Sequence, residues 1–166
     1  VRALVLRYDG RIFAATPQRM PSDAGETYRH RLTVRVYYED TDAGGVVYHA
    51  RYLHFLERAR TEWLRALGFE QDRLRAEAGV MFAVRRMDIA FMQPARFNEL
   101  LLVESALTHH GRASLDFAQR ALRADDGTVC CRATVNIACV DAARLRPARI
   151  PEDIMTAILP EIAHGR

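Results

Sequence analysis

Asp42 follows a strand-like run, Val34-Arg35-Val36-Tyr37-Tyr38, and is followed at once by Ala43-Gly44-Gly45-Val46-Val47-Tyr48-His49, where a long amphipathic helix begins. A strand delivers a carboxylate to a fixed point, and paired glycines let the backbone come close to a ligand. The helix behind them presents unpaired N–H groups and its positive dipole end. A carboxylate and an oxyanion donor are thus coded within about eight residues, a compact unit for electrostatic catalysis. His49 contributes a backbone N–H at the helix start and an imidazole; the backbone donor is the firmer expectation, and the side chain is open to either catalysis or structure.

The neighbours have quieter readings. Asp40 reads as a solvated or turn-forming carboxylate, close enough to Asp42 to tune it electrostatically. Tyr48 and Tyr52 read as packing residues at the helix start. Glu57 and Glu62 read as solvated or paired across the helix, with Arg58 and Glu62 at i,i+4. Asp40-Thr41-Asp42 begins like a calcium loop, but Arg51 stands where the bidentate Glu is required, which excludes calcium. It also looks like the Asp-x-Asp of aspartyl-phosphate enzymes, whose parallel sheet does not suit the hairpins that follow here. His54, His109 and His110 lack metal-ligand spacing, so no metal is expected.

The elements that must position these groups follow from period. Leu32, Val34, Val36 and Tyr38 alternate with polar or exposed partners and predict a strand over 31–38. Tyr52, Phe55, Leu56, Ala59, Trp63, Ala66 and Leu67 recur at three and four and predict a helix over 50–67, stopped by Gly68; Arg51, Glu57, Arg58, Arg60, Glu62 and Arg65 fall mostly on the other side. A shorter helix is expected over 71–78, ended by Gly79. Long strands follow over 80–91, 99–109, 113–124 and 128–141, with His110-Gly111 and Asp126-Gly127 as turns. A last helix is expected over 151–159. Period alone therefore gives an α+β fold with an antiparallel sheet over one helix. Residues 1–29 lack a period and read as an N-terminal extension, in part without fixed structure; 30–166 is the single domain. Translation can start at Val1 or at Met20, and residues 1–19 are expected to be dispensable.

The run from Val36 to Tyr52, continued by Glu57-Arg58-Ala59-Arg60-Thr61-Glu62, resembles the 4-hydroxybenzoyl-CoA thioesterase family, and within it the YbgC-like acyl-CoA thioesterases associated with the Tol-Pal system. The likeness extends more weakly through Arg85-Arg86-Met87, Gln93-Pro94-Ala95-Arg96, Gly111-Arg112-Ala113-Ser114-Leu115 and Arg146-Pro147, over roughly residues 30–153. It implies a hotdog fold, with the sheet wrapped around the central helix. It implies that Asp42 is the catalytic carboxylate, as nucleophile or as general base, and that the His49 N–H polarises the thioester carbonyl. Some hotdog thioesterases carry the carboxylate on the helix, which makes Glu57 a reserve candidate. Arg85, Arg86 and Arg112 are candidate contacts for coenzyme A phosphates. Coenzyme A is part of the substrate, and no separate cofactor is implied. The resemblance also implies a homodimer or homotetramer with the site at the subunit boundary. Acyl carrier protein is a further candidate partner. The rival reading is a non-catalytic module that binds acyl-CoA or acyl carrier protein at the cell envelope.

Composition narrows the chemistry. The 166 residues include 24 basic side chains, all arginine, so lysine Schiff-base chemistry is excluded. The formal charge of +3 is scattered rather than gathered on one face, against nucleic acid. Cys130, Cys131 and Cys139 read as core thiols of a reducing compartment. No apolar run nears the ~20 residues of a membrane span. The expected location is the cytoplasm, with peripheral attachment to the inner membrane as a further candidate.

Overall fold

The computed structural model describes residues 4–8 and 27–162. In chain order these form β1 (Leu4–Tyr8), β2 (His30–Arg35), a 3-10 turn at Tyr38–Asp40, α1 (His49–Ala66) and α2 (Gln71–Arg73), which runs into a π-helical turn at Leu74–Ala78. There follow β3 (Val80–Phe91), β4 (Leu100–His110), β5 (Ser114–Arg123), β6 (Val129–Asp141) and α3 (Glu152–Ile158). Six strands make one antiparallel sheet in the order β1-β3-β6-β5-β4-β2. β4, β5 and β6 are joined by short turns and form the middle. β2 and β3, separated in sequence by α1, add to opposite sides.

One face of the sheet is apolar at every second residue, as the strand period requires. Val103 and Leu107 of β4, Leu115 and Phe117 of β5, and Ala133 and Val135 of β6 are all buried. α1 lays Tyr52, Phe55, Leu56, Ala59, Trp63 and Leu64 against that face. Trp63 meets Phe117 edge to face with ring centroids 5.0 Å apart. Each such large side chain contributes about 1.5–3 kcal/mol by burial, so this contact layer holds helix and sheet together. This is the hotdog arrangement. The helix is off-centre, however: it packs chiefly over β2, β4 and β5, leaving the inner face of β3 open. Among the described residues no helix is long and apolar enough to cross a membrane.

The structure departs from the sequence expectations at several points. β2 ends at Arg35, and although Val36 stays fully buried, the 3-10 turn rotates Tyr38 out of the apolar phase to 80% exposure. Leu4–Tyr8 lies in the segment read as an extension, yet its backbone pairs with Met87–Phe91 at the sheet edge; Met20 lies outside the described residues. Cys130, Cys131 and Cys139 are buried, as core thiols should be, and a shift in the β5–β6 register folds the extra residue, Cys130, inward beside Cys131. Arg60, counted with the outer face of α1, is buried. Glu62 pairs with Arg65 rather than with Arg58.

His30 of β2 stands opposite Ser105, which stands opposite Gln119, a polar row across the inner face. His30 Nε2 is sealed off without a partner, and burial pushes its pKa below the ordinary histidine value, with Glu62 and Glu161 opposing. The folded state therefore binds this proton less readily than the unfolded chain, and stability must fall as pH drops below the ordinary histidine value of about 6.5. Melting curves at pH 7.5 and 5.5 should show this loss, and His30→Leu should shrink it.

Candidate functional site

The loop between β2 and α1 is built as a narrow hairpin. Thr41 bridges Val47, the Asp42 N–H donates to the Val46 carbonyl at 2.9 Å, and the Gly45 N–H donates to the Asp42 carbonyl at 3.0 Å. Gly45 takes a positive φ of 71°, which closes the turn at low cost only for glycine. The hairpin is stitched to the segment after β3 by the Val47 N–H donating to the Ala95 carbonyl at 2.8 Å.

Asp42 sits at the tip of this hairpin and is exposed. Its Oδ1 accepts the Gly44 N–H at 2.8 Å, an Asx turn that fixes the carboxylate, while Oδ2 has no protein partner among the described residues. Gly44 is required by proximity rather than by φ, since a Cβ there would lie 3.1 Å from that Oδ1. The ladder sets Asp42 opposite Val46, three residues before His49, a chain span of at most roughly 10 Å.

His49 is the first residue of α1, with Tyr48 as the cap, so its backbone N–H belongs to the turn that helix geometry leaves without acceptors. The imidazole is exposed; the Tyr48 ring lies 4.2 Å from it and Phe91 meets it edge-on at 6.2 Å. Tyr48 is itself exposed, covering His49 instead of packing inside, whereas Tyr52 is buried as expected and its hydroxyl accepts the Ala95 N–H at 3.3 Å.

Asp40 proves to be the anchor. It is only 3% exposed, with Oδ1 accepting from Arg51 Nε at 2.7 Å and Nη2 at 2.6 Å, and Oδ2 accepting the Tyr37 N–H at 2.8 Å. Its carbonyl also accepts the Tyr48 N–H at 2.8 Å. One residue therefore ties the 3-10 turn, the hairpin and the first turn of α1 together, and its carboxylate is engaged in structure. It is turn-forming as the sequence suggested, but not solvated.

The open inner face of β3 and the flank of α1 enclose a groove of about 620 Å³. His49, Leu53, Glu57 and Arg60 line it from the helix; Val84, Met87 and Phe91 line it from β3. His49 stands at one end of this stripe and Arg60 at the other. Asp42 is not part of the wall; it stands beyond the His49 end. Glu57 lies in the wall, two turns along, accepting the Thr61 hydroxyl at 2.8 Å.

The arginines expected at phosphates are not gathered into one cavity. Arg85 is exposed in the bulge of β3, Arg86 is held by Asp88 at 3.0 Å, and Arg112 lines a separate cavity of about 460 Å³ with His110 and Arg149. Arg149 escaped sequence reading, because only the fold brings it beside the β4–β5 turn. Arg60 and Gln119 escaped it too, although a signal existed: Arg60 is i+4 from Leu56 and i−3 from Trp63, and Gln119 shares the inward phase of Phe117 and Ala121. Among the described residues no three His, Cys, Asp or Glu side chains gather as metal ligands.

A helix wrapped by an antiparallel sheet, with a hairpin carboxylate beside the helix start, defines a class. The chain matches the family model of the thioesterase-like superfamily over residues 36–158, and it belongs to that family. Among curated relatives it is 47% identical over 124 residues to the acyl-CoA thioesterase YbgC of Haemophilus influenzae, covering 75% of this chain and 90% of that one. It is 46% identical to the acyl-CoA thioester hydrolase YbgC of Escherichia coli, covering 75% of this chain and 92% of the relative. A probable thioesterase from Bartonella henselae superposes with a TM-score of 0.70 at 38% identity, over 74% of this chain and 98% of that one.

Two substitutions separate the parts of the loop. Asp40→Asn should cost about 2 kcal/mol, the scale of a hydrogen bond to a charged group, and lower Tm by several degrees. Gly44→Ala should leave Tm within a degree or two, since the loop is exposed, while moving the Asp42 carboxylate; crystal structures of the two variants would show which group has shifted.

Proposed function

We propose that this protein hydrolyses acyl-CoA thioesters, with the reacting carbonyl held between Asp42 and the first turn of α1. The observation that carries this reading is the hairpin itself, which fixes one oxygen of Asp42 on the Gly44 N–H and leaves the other without a partner among the described residues, in the loop that leads into α1. The relatives named as acyl-CoA thioesterases support it.

The chemistry then has few parts. The free oxygen of Asp42 either attacks the thioester carbon, forming an acyl anhydride that water opens, or takes a proton from the water that attacks. In both routes negative charge develops on the carbonyl oxygen, where the His49 N–H and the dipole of the eighteen-residue α1 stabilise it. The C–S bond breaks and coenzyme A leaves as thiolate, a good leaving group that needs little acid assistance. The acyl chain runs into the groove between α1 and β3, whose walls include Leu53, Val84 and Met87. The nucleotide end lies outside, where Arg112 with Arg149, or Arg85 and Arg86, meet its phosphates. No metal or prosthetic group takes part.

A second protomer completes the site in this proposal. The inner face of β3 that α1 leaves open, with Val84 exposed beside it, is apolar surface that a second copy can cover. We place the enzyme in the cytoplasm; contact with envelope components or acyl carrier protein is secondary to hydrolysis.

Turnover of a panel of acyl-CoA thioesters tests the reading, and binding without hydrolysis would turn it into a binding module. Asp42→Asn should lower kcat at least about a hundredfold with folding intact, as expected for a charge used mainly in the transition state. If Glu57→Gln loses activity and Asp42→Asn keeps it, the helix carboxylate is the catalyst instead. His49→Ala keeps the peptide donor and should lose at most about tenfold, whereas His49→Pro removes it and should approach the inactivity of Asp42→Asn. Equal, severe losses in both would assign the chemistry to the imidazole.

A further inference from the structure

Arg60 is a cation buried in the α1–sheet interface, only 7% exposed, with no carboxylate at ion-pairing distance among the described residues. Among the described residues its hydrogen bond runs from Nη1 to Gln119 Oε1 at 2.7 Å. Burial lowers its pKa to about 10, and the nearby Glu57 opposes that shift. A charge in such a place needs a partner or a purpose.

Gln119 holds this group in a defined orientation. Its amide nitrogen donates to the Leu56 carbonyl at 3.0 Å and to Ser105 Oγ at 2.8 Å. A carbonyl can only accept, so the amide cannot be flipped, and its oxygen must face Arg60. With Nη1 fixed there, the guanidinium borders two spaces, the groove and a smaller cavity of about 80 Å³ that it lines with Trp63, Phe82 and Phe117. Glu57, one turn back on the same helix, lines the same groove. The groove therefore ends in a donor held by the sheet and an acceptor on the helix.

Charge decides what fits between them. A carboxylate would bond Arg60 and be repelled by Glu57; a methyl group would lay hydrocarbon against the guanidinium and give it no acceptor beyond Gln119. A hydroxyl satisfies both, accepting from the guanidinium and donating to the carboxylate. The distance limits where it sits on a substrate. His49 and Arg60 are eleven residues apart on α1, roughly 16 Å, and the arginine side chain leans back by about one turn. An extended chain covers about 1.2 Å per bond, so roughly eight to ten bonds separate the carbonyl end from the guanidinium.

We propose that Arg60, oriented by Gln119, forms with Glu57 a subsite for a hydroxyl group at the far end of an aliphatic acyl chain of roughly eight to ten carbons. The subsite rests on the thioesterase reading and deepens it: the preferred substrate class is ω-hydroxyacyl-CoA.

The test compares kcat/KM for octanoyl-CoA, 8-hydroxyoctanoyl-CoA and the mono-CoA thioester of octanedioic acid, because ratios do not depend on how much of a variant is folded. The wild type should favour the hydroxylated chain over the plain one by about tenfold, and the carboxylated chain not at all. Arg60→Met should bring the hydroxyl ratio to about one. Glu57→Gln, at an exposed position, lifts the repulsion and should raise the carboxylated chain about tenfold relative to octanoyl, a change of preference that a merely structural Glu57 cannot cause. A wild-type hydroxyl ratio near one, or ratios unmoved by both variants, overturns the proposal. Calorimetric binding of free 8-hydroxyoctanoate against octanoate repeats the comparison without turnover. Selective binding with no hydrolysis would leave the subsite standing and sink the thioesterase reading; hydrolysis without selectivity would do the reverse.

Discussion

Asp40 and Arg51 make the contact on which the rest of the site depends. The carboxylate is buried, so its desolvation is costly unless every lone pair is used, and here Arg51, the Tyr37 N–H and the surrounding turn use them. What the pair contributes is less net stability than placement. Arg51 belongs to the first turn of α1 and Asp40 to the end of the 3-10 turn, so their bond fixes the helix start against the loop that carries Asp42. Without it the two halves of the candidate site would sit on a hinge of glycines.

Much of this was legible in the sequence, and the failures have common causes. The strands β3 to β6 and helix α1 announced themselves because a two- or three-to-four-residue period survives wherever one face is buried. The loop position of Asp42 and the helix-start position of His49 were readable because glycines and the onset of the helical period bracket them. Arg60 reads as an outer-face residue and Gln119 carries no signal of its own, because polar type masks position: both stand in apolar phase, and only the fold shows that they bond each other. Asp40 reads as a solvated or turn-forming carboxylate, because sequence does not reveal that a helix residue eleven positions on returns to meet it and bury it. Tyr38 departs for a backbone reason, a 3-10 turn that interrupts an otherwise regular alternation.

The off-centre helix explains why a groove exists at all. Had α1 crossed the middle of the sheet, β3 would have been covered and Val84 buried; instead the helix favours the β2 side, where Val34 and Val103 receive it. The polar row His30, Ser105 and Gln119 lies beneath that side and draws a helix arginine inward. Packing and polar satisfaction thus act in one direction, and the space left over becomes the substrate channel of the proposed reaction.

The inward bulge at β6 has a chemical consequence of its own. All three thiols, Cys130, Cys131 and Cys139, are buried, and burial raises them to about 11, about 12 and about 11. At neutral pH roughly one in ten thousand or fewer is thiolate, the only form that alkylating agents and peroxides attack readily. The folded protein is therefore inert to such reagents, and its sulfurs become modified only when β6 parts from its neighbours. The rate at which a maleimide consumes them is a clock for the opening of the sheet's middle, built into the native sequence without any introduced label.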